Sequence, residues 1–256
     1  MKISIIIVHY NTPDLLERCL NSIYVKSQSF PFEVFVVDNS LSSLAWKGSY
    51  KFPSVRVIRN GLNLGFAKAN NQALKLSGGE YVLFLNPDTE VRPGSLEGMY
   101  AFMKQNDNVG ILGPKLVFPD GSLQLSCRRF YTIRSILTRR IAFLKVVFGF
   151  KPEEEHLMIS NDHKAETDVD WVLGACMMAR KDVLTMLGGF DDSYHLYFED
   201  VDLCYRVKKM GLRVVYNPDF TIVHHHRRES AKSFTSKTIR HILSAVRFSI
   251  KYGLPF

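Results

Sequence analysis

Four short apolar strands are written into the first third of the chain: Lys2 to Tyr10, Phe32 to Asp38, Val55 to Arg59 and Tyr81 to Leu85. Helical segments from Pro13 to about Lys26 and from Phe66 to Leu76 separate them. Near-continuous Val, Ile and Phe runs of this kind need cover on both faces, and helical crossovers supply it when the strands run parallel. A helix opened by Pro93 and reaching about Gln105, then a strand near Val109 to Leu112, continue the alternation. The pattern predicts an α/β, Rossmann-like, mostly parallel sheet sandwiched by helices. No Gly-x-Gly-x-x-Gly follows the first strand, which argues against a dinucleotide fold.

The second half is less periodic. Asp168 to Arg180 reads as a strand pair or a strand and turn around Gly174, Glu199 to Met210 as a helix, and Arg213 to Tyr216 as a strand that ends in Asn217-Pro218-Asp219. Thr235 to Tyr252 reads as a terminal helix, and the polar, acidic segment Lys151 to Asp168 as a mobile loop. With 256 residues and 46% hydrophobic content, one catalytic domain with a C-terminal helical appendage is the economical division.

Several functional classes are narrowed by composition. The apolar N-terminal run is too short for a signal peptide and ends in turn and helix-start residues. Ile133 to Phe150 comes nearest to a membrane span, but Arg134, Arg139, Arg140 and Lys145 interrupt it. Together with Arg128-Arg129-Phe130-Tyr131, that region reads either as helices packed on the core or as an interfacial element resting on anionic lipid. Cys19, Cys127, Cys176 and Cys204 lie far apart, so neither a zinc knuckle nor a disulfide framework is indicated, and a reducing cytosol fits. The balance of 33 basic to 25 acidic residues favours an anionic partner.

Four polar clusters stand at or just beyond expected strand ends: Asp38-Asn39-Ser40, Asn86-Pro87-Asp88, Phe198-Glu199-Asp200-Val201-Asp202 and His224-His225-His226. In an open α/β sheet, ligands collect outside the carboxyl ends of the strands. A hard cation carrying a diphosphate needs one or two carboxylates and leaves its other positions to phosphate and water, which Asp88 with a histidine would satisfy. The acidic cluster offers a carboxylate able to take a proton from a hydroxyl. Asp38 is placed to accept a hydrogen bond from a base or a ribose hydroxyl. Each motif also has a structural explanation: Asn-Pro-Asp and Asp-Asn are ordinary turn sequences, and carboxylates are favoured in the first turn of any helix.

The set Ser4 to Asn11, Val36 to Ser40, Asn63-Leu64-Gly65-Phe66-Ala67, Asn86-Pro87-Asp88 and Phe198 to Leu203 resembles a family 2 glycosyltransferase with the GT-A fold. With Val169 to Met177 and His224 to Ser230, it is most similar to bacterial rhamnosyltransferases of cell-surface polysaccharide synthesis. The resemblance implies a catalytic domain over residues 1–230, with a nucleotide-sugar half over about 1–115 and an acceptor half over about 116–230, and a C-terminal helix over 231–256. It implies inverting transfer of a sugar, L-rhamnose for instance, from dTDP-rhamnose or a UDP-sugar to a glycan or lipid-linked acceptor. Mg2+ or Mn2+ would assist. Val8, Tyr10, Asn11, Asp38, Asn63, Gly65, Phe66, Asn70, Asn86, Asp88, Gly174 and Ala175 would line the donor. Asp88 with His224 or His225 would hold the metal, and Asp200 would be the general base, with Glu199 and Asp202 as secondary candidates.

The implied setting is cytoplasmic, either free or peripheral on the cytoplasmic face of the inner membrane. The family's Asp-x-Asp metal motif has Asn86 at its first position here, which removes one charge. A catalytically silent member of the fold, a nucleotidyltransferase and a basic nucleic-acid-binding module are the alternatives. His9-Tyr10-Asn11-Thr12-Pro13 is not the glycine-rich phosphate loop of the second, and no nucleic-acid-binding signature supports the third.

Overall fold

Apolar β-branched runs become strands and the amphipathic intervals become helices in chain order. The computed structural model describes residues 1–24, 30–41, 46–132, 151–161, 163–194, 196–225 and 236–253. The first part holds β1 (Ile3–His9), α1 (Pro13–Tyr24), β2 (Phe32–Asp38), β3 (Val55–Arg59), α2 (Phe66–Leu76), β4 (Tyr81–Leu85), β5 (Thr89–Val91), α3 (Ser95–Gln105) and β6 (Val109–Val117). Then follow β7 (Leu123–Gln124), β8 (Cys127–Arg128), α4 (Lys151–His156), β9 (Thr167–Asp168), β10 (Trp171–Val172) and β11 (Cys176–Arg180). The chain continues with α5 (Lys181–Leu187), α6 (Glu199–Lys209), β12 (Arg213–His224) and α7 (Ser236–Tyr252).

Among the described residues the main sheet has ten strands, ordered β3-β2-β1-β4-β11-β6-β12-β5, with β7 beside β6 and β9 beside β12. β1 pairs in parallel with β2 and β4, β2 with β3, and β6 with β12, while β11 runs antiparallel to both β4 and β6. β8 and β10 form a separate antiparallel pair. Alternate side chains leave a strand on opposite faces. Ile3, Ile5 and Ile7 therefore join Leu16 and Leu20 of α1 and Met99 and Met103 of α3 on one face, while Ile6 joins Phe84, Ala73 of α2 and Leu203 of α6 on the other. This two-sided burial is the reason the strands read as unbroken apolar runs.

Three expectations are revised. Asn217-Pro218-Asp219 does not end a strand: β12 runs through it to His224, with its register against β6 shifted between Asn217 and Thr221. The irregularity accommodates Pro218, which has no N–H to give a ladder, and Asn217 Oδ1 accepts the Asp219 amide at 2.9 Å. The helix expected to open at Pro93 begins at Ser95, because Gly94 takes a φ of 76° in the preceding turn. The segment expected as a loop from Lys151 contains α4 and β9. The terminal helix is described over Ser236–Tyr252, and Thr235, where it was expected to begin, lies outside the described residues. Residues 133–150, the core of the expected interfacial element, and His226 also lie outside them. No helix among the described residues is long and apolar enough to cross a membrane.

Candidate active site

One edge of the sheet collects the chemistry. The carboxyl ends of β1, β2, β4 and β12 deliver His9, Asp38, the Asn86–Asp88 turn and His224, and the antiparallel β11 begins there just after Gly174 and Ala175. The turn is fixed by one backbone and one side-chain bond: the Asn86 amide donates to the Ala175 carbonyl at 2.9 Å, and Thr89 Oγ1 donates to the Asn86 carbonyl at 2.7 Å. β5 then pairs with the end of β12, setting His224 opposite Thr89.

That pairing separates the histidines. His224 Nε2 lies 3.4 Å from Asp88 Oδ1, whereas His225 turns away and bonds Glu90 Oε1 at 2.7 Å, its backbone amide donating to the Asp88 carbonyl. On the far side of the His224 ring, Nδ1 meets Gln124 Oε1 at 2.6 Å. With the amide oxygen as acceptor, Nδ1 is the donor and Nε2 is the ring nitrogen directed at Asp88. A ring nitrogen and a carboxylate oxygen facing each other at this distance form an address for a proton or a metal cation. Among the described residues no three His, Cys, Asp or Glu side chains gather around a metal position. Two donors still fit a hard cation whose remaining positions go to phosphate oxygens and water. Gln124 gave no sequence signal, because a two-residue strand has no periodicity.

The acidic cluster divides three ways at the start of α6. Tyr197 and Phe198 precede it with φ of 67° and 71°, a sparsely populated region for aromatic residues. Half-buried Asp200 accepts the Gly174 amide at 3.0 Å on Oδ2 and the Val201 amide at 2.9 Å on Oδ1. A Cβ on Gly174 would stand 3.5 Å from Asp200 and 3.6 Å from the ring of Phe66, so the starts of α2 and α6 meet at this glycine. Burial raises the Asp200 pKa above its usual value, against the pull of those amides. Asp202 faces elsewhere: it is fully buried, with Oδ2 accepting Arg206 Nε at 2.6 Å and Oδ1 accepting Lys251 Nζ and the Tyr252 hydroxyl, each at 2.7 Å. It anchors α7 to α6.

Glu199 is buried, and its Oε2 has no hydrogen-bond partner among the described residues. Burial first, and the Asp200 charge second, push its pKa well above 4.5. The folded state therefore binds a proton that the unfolded chain releases, and stability is lost as pH rises from about 4.5 through the folded pKa. Glu199→Gln keeps the shape without that liability. Its Tm is expected to match the wild type at about pH 4 and to exceed it increasingly toward pH 8. A variant less stable at both pH values would contradict the assignment.

At the carboxyl end of β2, Asp38 is committed to its own loops. It is 1% exposed, and its two oxygens accept the Ser40 and Trp46 amides at 2.9 and 2.8 Å. A base reaching this carboxylate would have to displace the Trp46 amide. Arg59 is the accessible charge here: half exposed, it lies 3.8 Å from Asp38 and donates to the Trp46 carbonyl at 3.0 Å. His9 sits 3.9 Å from Asp38 with Nε2 unbonded among the described residues, and burial lowers its pKa, keeping it neutral. Tyr10 is exposed, Val8 half-buried, and Asn11, at φ 56°, donates its amide to Ser40 Oγ at 2.9 Å. Asn63 Oδ1 caps the Gly65 amide at 2.9 Å, and Gly65 takes a φ of 84° as α2 begins. Buried Asn70 bonds the Phe66 carbonyl at 3.0 Å, so it supports the helix rather than facing solvent.

Residues 4–184 match the model of Glycosyl transferase family 2. The N-acetylglucosaminyl-diphospho-decaprenol L-rhamnosyltransferase of Mycobacterium tuberculosis is 28% identical over 95% of this chain and 82% of its own length. The rhamnosyltransferase WbbL of Escherichia coli is 26% identical over 95% of this chain and 91% of its own. Among solved structures, the mannosyltransferase PcManGT from Pyrobaculum calidifontis, in complex with GDP-Man and Mn2+, superposes with a TM-score of 0.65 at 19% identity, over 98% of this chain and 65% of that one. GalNAc-T7 with UDP, GalNAc and Mn2+ gives a TM-score of 0.71 at 14% identity, over 97% of this chain and 48% of that one. The chain thus spans under two thirds of either solved relative. The fold is the expected GT-A arrangement.

Proposed function

The chain belongs to glycosyl transferase family 2, and from that premise we propose that it transfers a sugar, L-rhamnose from dTDP-rhamnose in the first instance, to a lipid-linked glycan acceptor with inversion at the anomeric carbon. One observation carries the proposal: a single base-competent carboxylate, Asp200, is held beside Gly174 at the sheet edge that also presents the Asp88–His224 pair. The mycobacterial relative's name specifies rhamnosyl transfer onto a diphospho-decaprenol carrier, and the Escherichia coli relative's specifies rhamnosyl transfer.

In the proposed reaction the acceptor hydroxyl approaches Asp200, whose carboxylate is fixed by the Gly174 and Val201 amides and takes the hydroxyl proton as the oxygen attacks the anomeric carbon. Its raised pKa makes it a stronger base than an exposed aspartate. Gly174 brings Phe66 and Asp200 together beside the place proposed for the sugar. The glycosidic bond to the diphosphate breaks on the opposite face, and one carboxylate suffices because an inverting displacement needs no covalent intermediate. Asp88 and His224 would hold Mg2+ or Mn2+, which when bound supplies Lewis-acid relief of the charge left on the departing diphosphate. Asn86 adds no charge, so Asp88 carries the electrostatic part of that task.

Gln124 orients His224, and such outer partners influence metal affinity strongly. Gln124→Leu is expected to weaken Mn2+ binding by about 10- to 100-fold while leaving the fold intact; unchanged affinity in a metal titration would rule out His224 as a ligand. The function itself is tested by offering labelled dTDP-rhamnose, UDP-sugars and GDP-sugars with a prenyl-diphosphate-linked acceptor. Metal-stimulated transfer from one donor is expected, whereas neither transfer nor donor hydrolysis across the whole panel would overturn the proposal.

A further inference from the structure

Helix α7 has two apolar faces, and among the described residues only one is covered. Its inner side buries Phe248 against Phe130, Phe198 and Tyr205, and locks to α6 through Lys251 and Tyr252 on Asp202. Its outer side leaves Leu243 62%, Val246 50% and Ile250 80% exposed. These three positions recur at the spacing of one helical stripe. With Leu196, Arg240 and Arg247 they line an open groove of about 680 Å³.

Charge identifies the partner. Over its 17 residues α7 carries Lys237, Arg240, Arg247 and Lys251 and no carboxylate. Lys251 is spent on Asp191 and Asp202, but no ion pair engages Arg240 or Arg247 among the described residues. A solvated helix would set polar side chains where Leu243, Val246 and Ile250 stand. An apolar stripe flanked by arginines suits a helix lying in a bilayer surface, its apolar side chains below the headgroups and its guanidinium groups among the phosphates.

We infer that the outer face of α7 docks on an anionic phospholipid bilayer. The inference deepens the proposed use of a lipid-linked acceptor and rests on it for its purpose, but its measurement needs neither donor nor acceptor. Docking here would set the membrane beside the base-bearing end of α6, because His241 and Phe248 on the inner side of α7 both touch Phe198, next to Glu199 and Asp200.

Co-sedimentation of the full chain with phosphatidylglycerol vesicles and with phosphatidylcholine vesicles tests it. Binding to the first, weakened by salt, and little to the second are expected. Arg240→Gln/Arg247→Gln should weaken binding by about 10- to 30-fold, and Leu243→Ser/Ile250→Ser by at least about 10-fold. Both variants should retain transfer to a water-soluble acceptor. Failure of the wild type to bind anionic vesicles, or equal binding by both variants, would overturn the docking. So would a dimer in light scattering that Leu243→Ser/Ile250→Ser dissociates, since a second copy would then cover the stripe. Vesicle binding without transfer to any acceptor would instead count against the transferase proposal alone.

Discussion

Asp200→Asn is expected to lower kcat by about 10²- to 10⁴-fold, the usual contribution of a positioned general base, while leaving donor affinity unchanged. The side chain keeps nearly the same shape and one oxygen, so it retains either the Gly174 or the Val201 amide bond and gives up the other. What disappears is the capacity to take a proton. Wild-type kcat should fall as pH drops through the Asp200 pKa, and burial places that acid limb above the ordinary carboxylate value of 3.8. Above the limb the variant's residual rate should be flat. Retained turnover would move the base to Glu199, the other carboxylate at this end of α6.

Asp88→Ala has the second largest expected effect, and it falls on binding. The substitution leaves neutral Asn86 and the single donor His224 at the place proposed to accept a diphosphate. Removing an outer partner of a metal ligand already costs about 10- to 100-fold in metal affinity, so removing the ligand carboxylate should weaken metal-dependent binding of a nucleoside diphosphate by at least about 100-fold. Titration calorimetry in Mn2+ and in chelator separates the effects: wild type and variant should bind alike in chelator and diverge in Mn2+. A variant that kept the full Mn2+ enhancement would show that Asp88 is a turn residue and no ligand. Asp200→Asn, measured alongside, should keep the enhancement, separating the diphosphate end of the site from the acceptor end.

Much of the frame was legible in the sequence because it rests on local signals. β1, β2, β3 and β4 announce themselves as apolar runs, and two-sided burial is the cause of those runs. The motifs at their carboxyl ends were legible for the same reason, since the strand ends locate them. The far half of the site was not, because long-range register decides it. Asn217-Pro218-Asp219 has the composition of a terminator, yet β12 absorbs it as an irregularity and carries His224 to Asp88. The sequence left the metal histidine as His224 or His225, and pairing with β5, itself only three residues long, turns the first toward Asp88 and the second toward Glu90. Asp38 was legible as a strand-end carboxylate, but not that backbone amides from two loops occupy it. Asp202 was separable in principle: two positions along a helix turn a side chain about 200° away, and it leaves Asp200 for the α7 interface.

The most direct test of the central claim is thermal stabilisation of the wild-type chain by dTDP, UDP and GDP, each with Mn2+ and with chelator. A ligand that binds only the folded state at about 100 times its Kd stabilises by about 2.7 kcal/mol, which raises the Tm by several degrees in a chain of this size. The account predicts such a rise for dTDP or UDP in Mn2+, little in chelator, and its loss in Asp88→Ala. Indifference to every nucleoside diphosphate in Mn2+ would contradict it.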